Sequence, residues 1–289
     1  MKLFDQNQPF YRANFHCHTT MSDGERSPEE AVQLYRSMGY DILSITDHRV
    51  MTHVEAPEGL LLIPGVELDY MLPTQAVHIV GVGVRDQVME LWERDGHPQQ
   101  AIDVIRQCGG RAMLAHPAWS MNSTELMVSL KNLSAVEVYN SISTFPGNAD
   151  RADSSAMLDV VAAHGQLLPF VAQDDTHEYT YEVGQGWTMI QAEALTEEKV
   201  LEALDQGRFY ASQGPAFHQI EVEDGEIRVK CSPVEKIVFY SNTPWVSRRA
   251  RIKPDQTESI YKIVDSDRFV RVQITDSQGK HAWSSPISV

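Results

Sequence analysis

The chain has 289 residues, 42% of them apolar and 22% charged, ordinary values for a globular protein with room for one sizeable domain and a smaller one. Its 24 basic and 40 acidic residues leave a formal charge of −16, which argues against duplex nucleic acid as a partner, since that partner demands a basic face. Cleavage of a short nucleic acid stays open, because bound cations reverse the local sign of a site. The opening residues MKLFDQNQPFYRANF lack the basic and apolar regions of a signal peptide, and no apolar run approaches the ~18 residues of a membrane span. Three scattered cysteines, Cys17, Cys108 and Cys231, make no disulfide framework, so a protein of the reducing cytoplasm with no membrane partner is expected. Nothing in the sequence speaks to oligomeric state.

In chain order, Tyr11–Cys17 predicts a strand. Ser27-Pro28-Glu29-Glu30 is a capping box with proline at the first helical position, and the helix it starts should end near Gly39. Asp41–Thr46 predicts a buried strand, and LLLIPGVEL (60–68) and AVHIVGVGV (76–84) two more. A helix over 98–110, a strand over 111–116, a helix over 123–132 and a strand over 135–140 follow. Then come a helix over 149–164, strands at 167–173 and 187–194, a helix over 196–206 closed by Gly207, and a strand at 208–213. Strands separated by helices imply parallel pairing and an α/β architecture, either barrel or open sheet. After Gly214-Pro215 no helical period remains. Alternation around Asp224-Gly225 predicts a hairpin, and 215–289 reads as a small all-β domain of sandwich type, separate from 1–214.

Metal-binding side chains fall at the ends of the predicted strands. His16 and His18 are two apart on the first strand and face one side, with Cys17 turned into packing. Asp23 follows in a turn, His48 closes the second strand, Glu67 sits in GVE, and His78 lies early in the next run. His116 ends RAMLAH, and Asp175 and His177 follow LLPFVAQ. Strand ends share one face of a parallel α/β protein, so residues scattered over 160 positions converge. One strand-end histidine is usually just a polar loop residue, but six of eleven histidines lie at strand ends or in strands beside carboxylates. His53, His97, His164, His218 and His281 read as structural or surface residues. Imidazole with carboxylate suits zinc, manganese or iron, and the lack of clustered thiols argues against structural zinc.

The ordered series HCHTTMSDG, SITDH, GVE, VHIVG, AHP and QDDTH resembles the motifs of the PHP (polymerase and histidinol phosphatase) superfamily over about residues 11–213. GRFYASQGP followed by a β domain ending in AWSSPISV is similar to a branch with carbaryl-hydrolase-like members. The resemblance implies a distorted seven-stranded β/α barrel, a phosphoesterase activity, and two or three divalent metal ions. It implies that His16, His18, Glu67 and Asp175 hold one ion, that Glu67 bridges to a second completed by His78 and His116, and that Asp23, His48 and His177 hold a third. Many family members have histidine where Asp23 stands, a change that retunes the third site. Glu67, His48 and Asp23 are taken as the catalytic positions.

The expected reaction is hydrolysis of a small phosphorylated metabolite or nucleotide by a metal-activated hydroxide, without a protein nucleophile. Arg49 reads equally as a bidentate phosphate fork or a surface arginine. Trp119 reads as a stacking platform or as loop packing, and Asn140 as a substrate hydrogen bond or a turn cap. The competing functions are a short-oligonucleotide nuclease, a metal-dependent ester or carbamate hydrolase, and a non-catalytic binding module, against which the full ligand set counts.

Overall fold

The predicted capping box is formed. The Glu30 backbone N–H donates to the Ser27 hydroxyl, and the Ser27 N–H donates to the Glu30 carboxylate. It opens the first helix of a computed structural model that describes residues 1–4, 7–144 and 150–289. The elements are β1 (Phe10–Asn14), α1 (Pro28–Ser37), β2 (Ile42–Leu43), β3 (Leu61–Leu62), β4 (Gly65–Leu72), β5 (Gln75–Val82), α2 (Val88–Leu91), α3 (Pro98–Gln107) and β6 (Arg111–Leu114). They continue with α4 (Thr124–Ser129), β7 (Ala135–Asn140), α5 (Ser155–Ala163), β8 (Phe170–Gln173), β9 (Trp187–Gln191), α6 (Glu197–Asp205) and β10 (Phe209–Ser212). Six strands close the chain: β11 (Phe217–Glu223), β12 (Glu226–Ser241), β13 (Ala250–Lys262), β14 (Phe269–Thr275), β15 (His281–Trp283) and β16 (Ile287–Ser288). Of the helix expected over 149–164, residue 149 lies outside the described residues and 150–154 are not helical, so the helix starts only at Ser155.

Two expectations are corrected. Residues 60–68 are two strands, because Pro64 interrupts the run, and the halves join different sheets. The pairing is only partly parallel. β4 and β5 form an antiparallel hairpin, since the short turn between them has no room for the crossover a parallel pair needs. β6 is antiparallel to β5, and β9 is antiparallel to both β1 and β10, while β1–β2–β3 and β6–β7–β8 are parallel. The described hydrogen bonds form two sheets. One has five strands in the order β4-β5-β6-β7-β8, and the other has eleven, running β11-β12-β14-β15-β10-β9-β1-β2-β3 with β13 on β12 and β16 on β14. Isolated parallel bridges, His48 with Glu67 and Cys17 with Thr176, tie the strand ends of the two sheets together.

The segment after residue 214 is all β, as its pattern predicts, but it continues the larger sheet. Ala211 and Ser212 of β10 pair with Trp283 and Ala282 of β15. The junction is packed as well as paired. Trp283 is fully buried and stacks on Tyr139 with ring centroids 5.8 Å apart. Buried Arg271 of β14 grips Asp159 of α5 with two hydrogen bonds, of 2.5 and 2.7 Å.

Strands of the smaller sheet are covered on both faces, which is why they read as continuous apolar runs. Val66, Leu68, Leu114 and Phe170 on one face belong to a buried cluster with Ile102 and Ile105 of α3, while Val80, Met113 and Val171 on the other belong to a second with Phe15, Ile190 and Leu204. At the ends of these strands the inward face stops being apolar and becomes histidine and carboxylate.

Candidate metal centre

β1 delivers His16 and His18 through backbone pairing with the segment after β8. The Asp175 N–H donates to the His16 carbonyl and the His18 N–H to the Thr176 carbonyl, each at 3.0 Å. Both imidazoles are fully buried on one side, and Cys17 is fully buried on the other, as strand alternation requires. On the opposite side, the Arg49 N–H donates to the Glu67 carbonyl at 2.9 Å, which sets His48 beside Glu67. Two site residues, His116 (φ 29°) and Asp175 (φ 52°), and the adjacent Arg49 (φ 58°) hold left-handed backbone, which non-glycine residues adopt at a cost.

The side chains then meet around Glu67. Its Oε2 lies 3.2 Å from His16 Nε2, 3.1 Å from His18 Nε2 and 3.1 Å from His48 Nδ1, and its Oε1 lies 2.9 Å from His78 Nδ1 and 3.6 Å from His116 Nε2. Asp175 Oδ1 lies 3.1 Å from both His16 Nε2 and His18 Nε2. Asp23 is the outermost carboxylate, 3.5 Å from His177 Nε2 and 3.7 Å from His48 Nε2. All nine expected ligands therefore converge. They form overlapping donor groups, each within 4.8 Å: His16, His18 and Asp175; His16, Glu67 and His116; His48, Glu67 and His78; and His18, Asp23, His48 and His177. The grouping differs in detail from the one expected, for His18 joins the Asp23 group and His48 also faces Glu67.

Electrostatics and orphaned atoms describe the same point. Burial favours the neutral form of Glu67, but His16, His78 and His48 around it outweigh that and hold its carboxyl well below the usual range. Burial opposes charge on His18 too, yet Asp175 and Glu67 raise it to about 9. His16 Nε2, His18 Nε2, His48 Nδ1, Glu67 Oε2 and Asp175 Oδ1 are buried without a hydrogen-bond partner. One such atom costs about 1–3 kcal/mol, and five aimed at one volume form a donor set that fits divalent cations. The mixture of imidazole and carboxylate suits zinc, manganese or iron.

Sequence reasoning missed the residues that aim these ligands. Glu137 of β7, buried, accepts from His16 Nδ1 at 2.7 Å, from the His116 N–H at 2.8 Å and from Asn140 Nδ2 at 2.8 Å. Asp47 accepts from the Thr19 N–H and hydroxyl and from the Ser22 hydroxyl, each at 2.7 Å, so it shapes the turn carrying Asp23. Asp174 is buried, which pushes its carboxyl up to about 6 against the opposing N–H groups of Gly184 and Gly186. An acid in the middle of an apolar strand, as in AVEVYN, was the available signal for Glu137.

The three expected substrate contacts are placed differently from one another. Trp119 lines the cavity over the cluster, its ring 4.9 Å from that of His116. Arg49 does not line it, because its guanidinium turns to Asp69 at 3.2 Å. Asn140 is buried beneath the site, donating to Glu137 and, at 3.1 Å, to Asp175, while its carbonyl caps the turn at Ser143.

No family model matches the chain. Its solved structural neighbours include a two-domain protein from Bacteroides vulgatus described as containing a predicted PHP-like metal-dependent phosphoesterase, with a TM-score of 0.56 at 17% identity over 98% of this chain and 96% of that one. That likeness is one of overall fold. Curated relatives include a 5'-3' exoribonuclease of Haemophilus influenzae, 35% identical over 75 residues, and the 5'-3' exoribonuclease Rnm of Escherichia coli, 34% identical over 79 residues. These matches take in 24% and 25% of this chain and span 27% of each relative. No helix among the described residues is long and apolar enough to cross a membrane.

Proposed function

We propose that the protein is a metal-dependent phosphoesterase that hydrolyses a small phosphorylated metabolite or nucleotide. The observation that carries this reading is the set of five buried, unpartnered nitrogen and oxygen atoms converging from four separate strand ends on Glu67. In this reading His16, His18, Glu67 and Asp175 hold one divalent ion, Glu67 with His78 and His116 a second, and Asp23, His48 and His177 a third. Ions held there would supply Lewis acidity towards phosphoryl oxygens and acidify water at neutral pH. The chain's own part is to fix the donors. Glu137, Ser120 and the Asp175 carbonyl bind the Nδ1 atoms of His16, His116 and His177, so each ring presents Nε2 inward. Hydrolysis forms a bond from a water oxygen to phosphorus, breaks the ester P–O bond and leaves the departing oxygen protonated.

The two sheets are read here as a distorted form of the seven-stranded barrel, made of β1, β2 and β4–β8 and tied at the His48–Glu67 and Cys17–Thr176 bridges. Residues 1–214 form the hydrolase unit in this reading and 215–289 brace it. Three buried, free cysteines agree with a cytoplasmic setting. The curated relatives favour one second reading, a nuclease acting on RNA with the same donors.

Metal analysis of the purified protein should find at least two transition-metal ions per chain, and Glu67→Ala should lose both metal and phosphate-ester hydrolysis while keeping its fold. Metal-free preparations after careful handling, or a Glu67→Ala variant of wild-type activity, would refute the reading. Turnover of aryl esters alone would replace phosphorus chemistry with carbon chemistry.

A further inference from the structure

The cavity above the donor cluster has a volume of about 470 Å³, the size of a small-molecule site. Unpartnered Glu67 Oε2 and Asp175 Oδ1 lie at its floor, and Trp119 and Ile142 stand in its wall. Its outer lining is acidic: Asp23, Glu25 and Glu178. Among the described residues no lysine or arginine lines it, and the segment 145–149 next to Ile142 in the chain contains neither. The cations closest in sequence are turned elsewhere, Arg26 over the Tyr179 ring at 5.6 Å and Arg49 onto Asp69. Glu25 and Glu178 are held together by backbone, for the Glu25 N–H donates to the carbonyl of His177 at 2.8 Å.

This lining separates two parts of an anionic substrate. A phosphoryl group on the floor meets imidazoles and whatever cations the donors hold. A second anionic group, reaching outward, meets two glutamates and no counter-charge. We propose that Glu25 and Glu178 make the site selective for phosphomonoesters whose leaving group is uncharged or cationic, and set it against bisphosphates and oligonucleotides. The proposal rests on the phosphoesterase reading above. Trp119 supplies the face on which a flat leaving group stacks.

Uridine 5'-phosphate and uridine 3',5'-bisphosphate differ by the 3'-phosphate that brings the outer charge, with release of the 5'-phosphate followed in both, and 2-aminoethyl phosphate adds a cationic leaving group. The ratio of kcat/KM for monophosphate over bisphosphate is the readout. Four charge pairs separated by about 10 Å in a watery mouth contribute roughly threefold to the ratio at 0.1 M ionic strength and about 15-fold at low salt. Glu25→Gln with Glu178→Gln should remove that factor and its salt dependence, and Glu25→Lys with Glu178→Lys should invert it. Both glutamates are exposed, so the variants give up no buried contact. Calorimetric binding of the matching phosphonates reads the same order without turnover. Phosphate-ester turnover with a ratio at or below one in the wild type, or a ratio unmoved by either double variant, would overturn the proposal and leave the phosphoesterase reading standing. Absence of turnover for every phosphate ester tested would overturn both.

Discussion

Replacing Glu137 tests whether the histidines are aimed from behind. In Glu137→Ala three donors lose their acceptor at once: His16 Nδ1, the His116 N–H and Asn140 Nδ2, at 2.7, 2.8 and 2.8 Å. His16, His116 and Asn140 are all buried, so water does not substitute freely. At about 1–3 kcal/mol for each donor left unsatisfied, and with some repacking around the shortened side chain, the metal-free protein should lose about 3–6 kcal/mol. A freed His16 ring also loses the charge that supports its basicity, and changes of this kind typically weaken metal affinity by about 10–100-fold. Glu137→Gln keeps the shape and one acceptor oxygen, so it should recover about half of the stability while metal affinity stays low. Urea denaturation of metal-free protein measures the first effect and competition with a chromophoric chelator the second. Wild-type metal affinity in Glu137→Ala, in a protein that still folds, would refute the claim that Glu137 positions the ligands.

Two further outcomes concern the C-terminal strands. Breaking the buried Arg271–Asp159 pair with Asp159→Ala leaves an arginine 1% exposed without its carboxylate, and should cost about 3–5 kcal/mol in thermal or urea denaturation. A loss below about 1 kcal/mol would show that Arg271 is held by Gln273 and Tyr240 instead. Burial opposes the charge on Asp267, but hydrogen bonds from Ser241, Tyr261 and the Val264 N–H, with Arg249 at 2.6 Å, hold its carboxyl below the usual range. Its contribution is therefore present above the unfolded value of about 3.9 and is lost as pH falls through the lower folded value. Melting curves should show Asp267→Asn clearly less stable than wild type at pH 6–7, with the gap closing below pH 4; a pH-independent gap would refute this.

The local elements were legible because their signals are local. A capping box, a glycine after a helix and an Asp-Gly hairpin act within a few residues, and α1, α6 and the β11–β12 hairpin lie close to where those signals put them. The convergence of the nine candidate residues was legible too, since strand-end histidines and carboxylates stand out against apolar runs, and the structure brings them into overlapping groups, several of them through Glu67. Strand partners were not. Nothing near β10 says that it pairs with β15 some seventy residues later, and nothing in GVEL or AVHIV says that the two runs fold back as a hairpin. Side-chain commitments were equally hidden. The sequence left Arg49 between phosphate fork and surface arginine and Asn140 between substrate contact and turn cap, and only the fold pairs Arg49 with Asp69 and ties the Asn140 amide to Glu137 and Asp175.

The sequence by itself thus determined which residue types reach the strand ends, because alternation along a strand and caps along a helix are properties of the chain over short distances. The tertiary structure alone decided which donors share a point, which are aimed by Glu137, and that the mouth above them carries Glu25 and Glu178 with no basic side chain among the described lining residues. Those are relations between segments far apart in the chain, and packing and hydrogen bonding between sheets set them.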